Sequence, residues 1–203
     1  MKTIRLDGKE LCPSKIVCIG QNYVEHIWEL GNEIPAQPVI FLKPNSAISA
    51  TIRSSDKDVI HHEGEISFIV IAGELSAVGF GLDLTKREIQ TSLRNKGMPW
   101  ERSKAFDGSA VFSDFVTFTR NPAELRLELY INDRLAQQGS FDLMMNKPDE
   151  ILNEAQGFLS FEDGDVIMTG TPKGVGPIHK DDDVNGKIFA GEKLVVEGAW
   201  TVK

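Results

Sequence analysis

Two acids stand two positions apart in Ile60-His61-His62-Glu63-Gly64-Glu65-Ile66-Ser67-Phe68-Ile69-Val70-Ile71, a stretch whose β-branched residues predict a strand. Side chains two apart on a strand share a face, so Glu63 and Glu65 set their carboxylates side by side. Inside a core that pairing is untenable, because the like charges repel and each also loses hydration. A divalent cation between them removes the conflict. A third acid, Asp83, follows a short Gly-rich connection and opens Asp83-Leu84-Thr85-Lys86-Arg87-Glu88. Three oxygen ligands with open positions suit Mg²⁺ or Mn²⁺. The competing reading is a solvated strand edge with alternating acids; Glu-x-Glu alone favours that reading, and the rest of the chain shifts the balance to the metal site.

A second pair sits in Asn22-Tyr23-Val24-Glu25-His26-Ile27-Trp28-Glu29-Leu30-Gly31, where Asn22 can cap a short helix and Gly31 can end it. His26 and Glu29 are three apart and share a helix face. A carboxylate beside an imidazole fixes its tautomer and raises its basicity, as a general base acting on water requires. The same spacing also arises in an ordinary surface helix. A Gly-rich run, Thr169-Gly170-Thr171-Pro172-Lys173-Gly174-Val175-Gly176-Pro177, follows the short strand Val166-Ile167-Met168. It matches neither a P-loop nor GxGxxG, and it reads equally as a structural turn or as backbone N–H groups approaching an anion.

The elements that must position these groups are mostly short strands. Residues 1–14 form a small opening hairpin ended by Pro13, and Lys15 to Gly20 and Val39 to Leu42 read as strands. Thr85 with Glu88 makes a capping box for a helix from about Lys86 to Asn95, closed by Gly97. Leu125, Leu127, Leu129 and Ile131 alternate with polar residues as a half-buried strand. Asn132-Asp133 turns it into a return over Arg134 to Gln138, and Pro148 starts a helix through Ala155. Strands outnumber helices, so the class is β-rich α+β in a single domain spanning 1–203, with 1–14 as an N-terminal extension.

The 203 residues carry a formal net charge of −8, which argues against a nucleic-acid partner. Two cysteines, Cys12 and Cys18, make no disulfide framework, and no apolar run is long enough to span a membrane. With no signal-peptide pattern, a cytoplasmic location is expected.

Taken together, Gly20-Gln21-Asn22-Tyr23-Val24-Glu25-His26, His61-His62-Glu63-Gly64-Glu65, Asp83-Leu84-Thr85-Lys86-Arg87-Glu88-Ile89-Gln90, Pro99-Trp100 to Asp107 and Thr169 to Gly176 resemble the fumarylacetoacetate hydrolase family. The likeness is to its small acylpyruvate hydrolase and oxaloacetate decarboxylase members, and it runs in order from about residue 15 onward. It implies a mixed β-sandwich roll, a homodimer, and one Mg²⁺ or Mn²⁺ held by Glu63, Glu65 and Asp83. It also implies a catalytic His26–Glu29 dyad and a Lys104 that meets the substrate. Arg87, Gln90 and Thr171 fall at substrate-binding positions of the same pattern. Two departures stand out: Gln21 replaces the arginine of Gly-Arg-Asn-Tyr, and the Gly73–Asp83 link is shorter than in the family pattern.

The implied activity is C–C bond cleavage of acylpyruvate-type 1,3-dicarbonyl acids through a metal-bound enolate. Oxaloacetate decarboxylation or tautomerisation, or isomerisation or decarboxylation of a 2-hydroxy-dienoate, fits the same site. A non-catalytic binding protein with a degenerate site is the alternative of another class. A zinc site on His61 and His62 is disfavoured, because adjacent strand residues face opposite ways.

Overall fold

The computed structural model describes residues 1–118 and 121–203. The chain opens as the expected hairpin, β1 (Ile4–Leu6) and β2 (Lys9–Leu11). Strand β3 (Lys15–Gly20) leads into helix α1 (Val24–Glu29), then β4 (Val39–Pro44) and β5 (Ile48–Ser49). The acids lie along β6 (Ile60–His62), β7 (Gly64–Ile71) and β8 (Glu74–Asp83), followed by β9 (Thr85–Lys86). Helices α2 (Arg87–Asn95) and α3 (Glu101–Lys104) precede β10 (Ala110–Phe112) and β11 (Val116–Thr117). Next come β12 (Leu125–Ile131), β13 (Arg134–Ser140), α4 (Pro148–Gln156) and β14 (Val166–Met168). Strands β15 (Gly176–Pro177), β16 (Asp183–Ala190) and β17 (Lys193–Thr201) follow. The class is the strand-rich α+β that the sequence predicts.

An eight-stranded sheet runs β4-β3-β14-β7-β8-β10-β5, with β11 also paired to β8. It is mixed, since β14 is parallel to β3 and β10 to β5 while β7 and β8 are antiparallel. A four-stranded sheet, β13-β12-β16-β17, stacks on it. Leu125, Leu127 and Leu129 of β12 alternate inward, as predicted, and meet Ile66, Phe68, Phe80 and Leu82 of the larger sheet in one core. Helix α4 continues that covering layer, setting Ile151, Leu152 and Ala155 on Val17, Ile19 and Ile167. The opposite face carries a separate core of Ile16, Cys18, Ile69, Ala77, Ala110 and Phe115. Each large apolar side chain fully removed from water in these layers contributes about 1.5–3 kcal/mol.

Strand β7 is therefore buried on both faces. Its even positions, Ile66 and Phe68, enter the sandwich, and Glu65, Ser67 and Ile69 take the other side. Parity places Glu65 in the interior rather than on a solvated edge.

Three local expectations are corrected. The Gly-rich connection before Asp83 is not a loop but strand β8, reached through a two-residue turn at Ala72 and Gly73 with φ of 52° and 78°. Its glycines provide clearance: a Cβ at Gly79 would lie 2.7 Å from Phe115, and one at Gly81 2.3 Å from Ser67 Oγ. Thr85 does not cap α2; it pairs with His61 in β9, and the cap position falls to Lys86 with no side-chain cap. Asn22 does not cap α1, whose cap residue is Tyr23. Asn22 instead bridges backbones, donating to Asn146 O at 2.9 Å and Thr169 O at 2.8 Å and accepting from Asn146 N–H at 2.7 Å. In both cases a tertiary partner outbids the local cap.

The entry to β3 is fixed by Asp165, a fully buried carboxylate. It accepts Ser14 N–H at 2.7 Å, Lys15 N–H at 3.1 Å and Glu162 N–H at 2.9 Å, and it pairs with the Lys15 ammonium. Burial pushes its carboxyl up, but these donors outweigh that and hold it below the usual aspartate range. A depressed folded pKa stabilises the fold above the unfolded value and is lost as pH falls through the folded one. Asp165→Ala is expected to cost about 3–5 kcal/mol at pH 7 in urea denaturation, and the gap to the parent should shrink below about pH 4.

Both cysteines are unpaired, Cys12 exposed and Cys18 buried. No helix among the described residues is long and apolar enough to cross a membrane.

Candidate active site

Glu63 sits at the break between β6 and β7, Glu65 one step beyond Gly64, and Asp83 at the end of β8. Asp83 N–H donates to Glu63 O at 2.9 Å, which aligns the two strand ends. One oxygen from each of the three carboxylates lies within 4.8 Å of the others, and all three residues are buried. Among the described residues this is the one group of three such side chains that could hold a metal ion. The two histidines stay outside it. His62 Nδ1 lies 3.2 Å from Gln137 Oε1, and half-buried His61 has its pKa lowered to about 4 by burial and by Arg87.

Cationic side chains ring the cluster. Lys104, at the end of α3, donates to Glu63 Oε2 at 2.7 Å, Asp83 Oδ2 at 2.6 Å and Thr85 Oγ1 at 2.6 Å. Thr85, displaced from its expected cap, thus serves as an acceptor for this ammonium. Arg87, in the first turn of α2, pairs with Glu63 and donates to Gln90 Oε1 at 2.6 Å. Burial alone would raise the Glu63 carboxyl, yet Lys104, Arg87 and His26 outweigh it and hold Glu63 well below the usual carboxylate range.

Lys43 is the site residue that sequence reasoning missed. It is fully buried, with its ammonium 2.8 Å from Asp83 Oδ1, 3.0 Å from both Ser109 O and Ser109 Oγ, and bonded to Lys104 O. The available signal was parity: Lys43 shares a strand face with Phe41, on an element that otherwise reads as apolar. It ties the backbone carrying Lys104 to the carboxylate that Lys104 contacts.

The His26–Glu29 pair forms as its spacing predicts. His26 is buried, with Nδ1 3.1 Å from Glu29 Oε2. Glu29 Oε1 accepts Gly174 N–H at 2.9 Å, and Gly170 N–H donates to Glu65 Oε2 at 2.8 Å. The Gly-rich loop therefore does approach anions with its backbone, and the anions are the protein's own carboxylates. Gly170 and Gly174 adopt φ of 90° and 95°, and a Cβ at Gly174 would lie 2.1 Å from Ala136 O, so other residues are excluded there. Thr171 donates to Gly64 O at 3.0 Å and accepts from Gln137 Nε2 at 2.8 Å. A cleft of about 590 Å³ lined by Glu29, Ala136, Lys173 and Gly174 opens on the outer side of the pair.

The donor set fits a hard divalent cation. Glu65 has no side-chain cation of its own: burial and the charges of Asp83 and Glu63 push its carboxyl well above the usual range, against Lys104 and the Gly170 N–H. Asp83 Oδ1 makes no aligned hydrogen bond, but the Lys43 ammonium stands 2.8 Å from it as a counter-charge. Glu65, an acid without a counter-charge facing two further carboxylates, is what an ion would satisfy.

Residues 15–200 match the family described as fumarylacetoacetate (FAA) hydrolase C-terminal. The chain is 35% identical over 199 residues to oxaloacetate tautomerase YcgM of Escherichia coli (strain K12), covering 89% of this chain and 90% of that protein. Its structure is similar to a crystal structure described as a fumarylacetoacetate isomerase/hydrolase from Oleispira antarctica, with TM-score 0.93, 32% identity and 100% of each chain covered. It shares the fold of fumarylpyruvate hydrolase from Pseudomonas aeruginosa, crystallised with Mn²⁺ and pyruvate, with TM-score 0.89, 24% identity, and 99% and 95% of the two chains covered. By the span of that match and the identity to these relatives, the chain belongs to the fumarylacetoacetate hydrolase family.

Proposed function

We propose that the chain is a metal-dependent enzyme of small 2-keto acids that works through enolate chemistry, interconverting the keto and enol forms of oxaloacetate-type acids. The observation that carries this reading is the convergence of three buried carboxylates with a lysine ammonium 2.6–2.7 Å from two of them. A relative named oxaloacetate tautomerase, 35% identical, supports it. Glu63, Glu65 and Asp83 would hold the ion. When bound, Mg²⁺ or Mn²⁺ supplies Lewis acidity toward the substrate's C1 carboxylate and C2 oxygen.

The chain's own residues do the rest. Lys104 and Arg87 bring positive charge to the oxygen that becomes anionic, where a fixed donor in a dry site is most effective. Gln90 orients Arg87, and Thr171 holds the loop edge against Gly64. His26, with its tautomer set by Glu29, takes a proton from C3 and returns one to the substrate.

A second reading, hydrolysis of acylpyruvates, is favoured by the same dyad. There His26 takes the proton from water, the resulting hydroxide attacks the distal carbonyl, and the C–C bond breaks to leave the enolate of pyruvate. Oxaloacetate decarboxylation needs no such proton transfer before CO₂ departs. His26→Ala is therefore expected to reduce tautomerisation and acetylpyruvate hydrolysis by about 10²–10⁴-fold, and decarboxylation least. Equal losses in all three assays would contradict a proton-carrying His26.

We also read the protein as a cytoplasmic homodimer. Exposed Trp28 of α1, Ile34 in the segment after it and Leu42 on the edge strand β4 support the second half of that reading, and light scattering tests it against a monomer.

A further inference from the structure

Strand β14 accompanies β7 only as far as Met168 opposite Ser67 and the Thr169 N–H on Ile66 O. There the chain turns away at Gly170, whose Cβ would lie 2.7 Å from Asn22 Cβ. Gly64, between the two glutamates, is left with an N–H and a C=O that point to no strand. Buried backbone groups must find partners, and here side chains supply them. Thr171 Oγ1 donates to Gly64 O, and Gly64 N–H donates to Gln137 Oε1 at 2.8 Å.

Gln137 comes from β13, in the other sheet, and is 1% exposed. Its Oε1 also faces His62 Nδ1 at 3.2 Å, and its Nε2 donates to Thr171 Oγ1 and Pro172 O, both at 2.8 Å. One amide thus joins residues 62–64, which carry Glu63 and lead into Glu65, to residues 171–172. Two positions further on, Gly174 N–H holds Glu29.

We propose that Gln137 is a positioning residue: it stands in for the missing strand beside Gly64 and fixes the spacing of Glu63 and Glu65 together with the loop that orients Glu29. The inference rests on the metal-site reading above. A mere filler of buried hydrogen bonds would stabilise the fold without affecting ion affinity. A positioning residue changes the affinity of the cradle, as outer partners of metal ligands do by about 10–100-fold.

The test is Mn²⁺ affinity of the metal-stripped protein, read from the EPR signal of free Mn²⁺. Gln137→Met removes all four contacts at similar volume, and Gln137→Asn keeps an amide one methylene short. Ser113→Ala is the control: its hydroxyl accepts Phe80 N–H at 2.9 Å and donates to Asp114 O at 2.7 Å, apart from the cradle. Expected is a loss of Mn²⁺ affinity of about 10–100-fold in Gln137→Met, while Ser113→Ala stays within about twofold of the parent despite a lower melting temperature. Should Gln137→Met fail to fold, Gln137→Asn decides. Parent-like Mn²⁺ affinity in every folded Gln137 variant overturns the inference. A parent that binds no Mn²⁺ overturns the metal reading itself and this inference with it.

Discussion

Replacing Lys43 by methionine is expected to remove about 3–5 kcal/mol of stability, far more than an exposed ion pair would. The ammonium is fully buried, and its four oxygen contacts come from Asp83, Lys104 and Ser109. Methionine fills a similar volume but leaves the buried Asp83 charge short of a counter-ion, while Lys104 O and Ser109 O each keep one donor, the Ser109 hydroxyl at 2.7 Å and the Leu84 N–H at 2.9 Å. Urea denaturation of the metal-free protein reads the cost directly. The double variant Lys43→Met with Asp83→Asn should recover part of the loss, because contacting charges are not additive. A cost under about 1 kcal/mol would mean that the charge balance drawn here is wrong.

Glu65→Gln should do the opposite to the fold and far worse to the reaction. Glu65 faces Glu63 and Asp83 without a cation of its own, so removing its charge relieves repulsion. The amide oxygen can still accept the Gly170 N–H that the carboxylate accepts at 2.8 Å. Metal-free Glu65→Gln is therefore expected to melt at or above the parent in EDTA. Turnover of oxaloacetate at a Mn²⁺ concentration that saturates the parent should fall by about 10³-fold, the rate equivalent of several kcal/mol of lost Lewis-acid stabilisation. Parent-like turnover would remove Glu65 from the ligand set.

The carboxylate cluster was legible because strand parity is a local rule. Glu63 and Glu65 flank one residue, and the single strand expected over Ile60–Ile71 would turn both the same way; that strand instead breaks at Glu63, between β6 and β7, and the two carboxylates still converge. Asp83 was legible only as a third acid nearby; its convergence depends on β8 folding back on β7. Reading β8 as a Gly-rich connection missed that its glycines give clearance within a strand, since what Gly79 and Gly81 avoid are Phe115 and Ser67, each remote in sequence. The His26–Glu29 pair was accessible for the same local reason as Glu-x-Glu. Its anchor on Gly174 lies 145 positions away in the chain and was not.

Lys43 and Gln137 were invisible for a related reason. Lys43 reaches Asp83 although β3, β14 and β7 lie between β4 and β8, because the sheet curls: the chain after β4 enters β5, which pairs with β10, and β10 pairs with β8 at Asp83. Gln137 reaches Gly64 from a second sheet. No periodicity within either strand encodes such contacts. Thr85 and Asn22 satisfy the composition of helix caps, yet each is claimed by a buried partner, Lys104 and the Asn146–Thr169 backbone. Local rules named the residue types that matter there and misassigned their work.

The most direct test is a thermal-shift titration of the metal-stripped protein with Mn²⁺, alone and with oxalate, which mimics the enolate of a keto acid. Binding at about a hundredfold excess over Kd stabilises by about 2.7 kcal/mol, a rise of about 5–10 °C for a chain of this size. The expected result is that rise with Mn²⁺, a further rise with oxalate present, and neither in Glu65→Gln. No shift at millimolar Mn²⁺ and oxalate would contradict the account, leaving a member of the family whose carboxylates hold only one another's counter-charges.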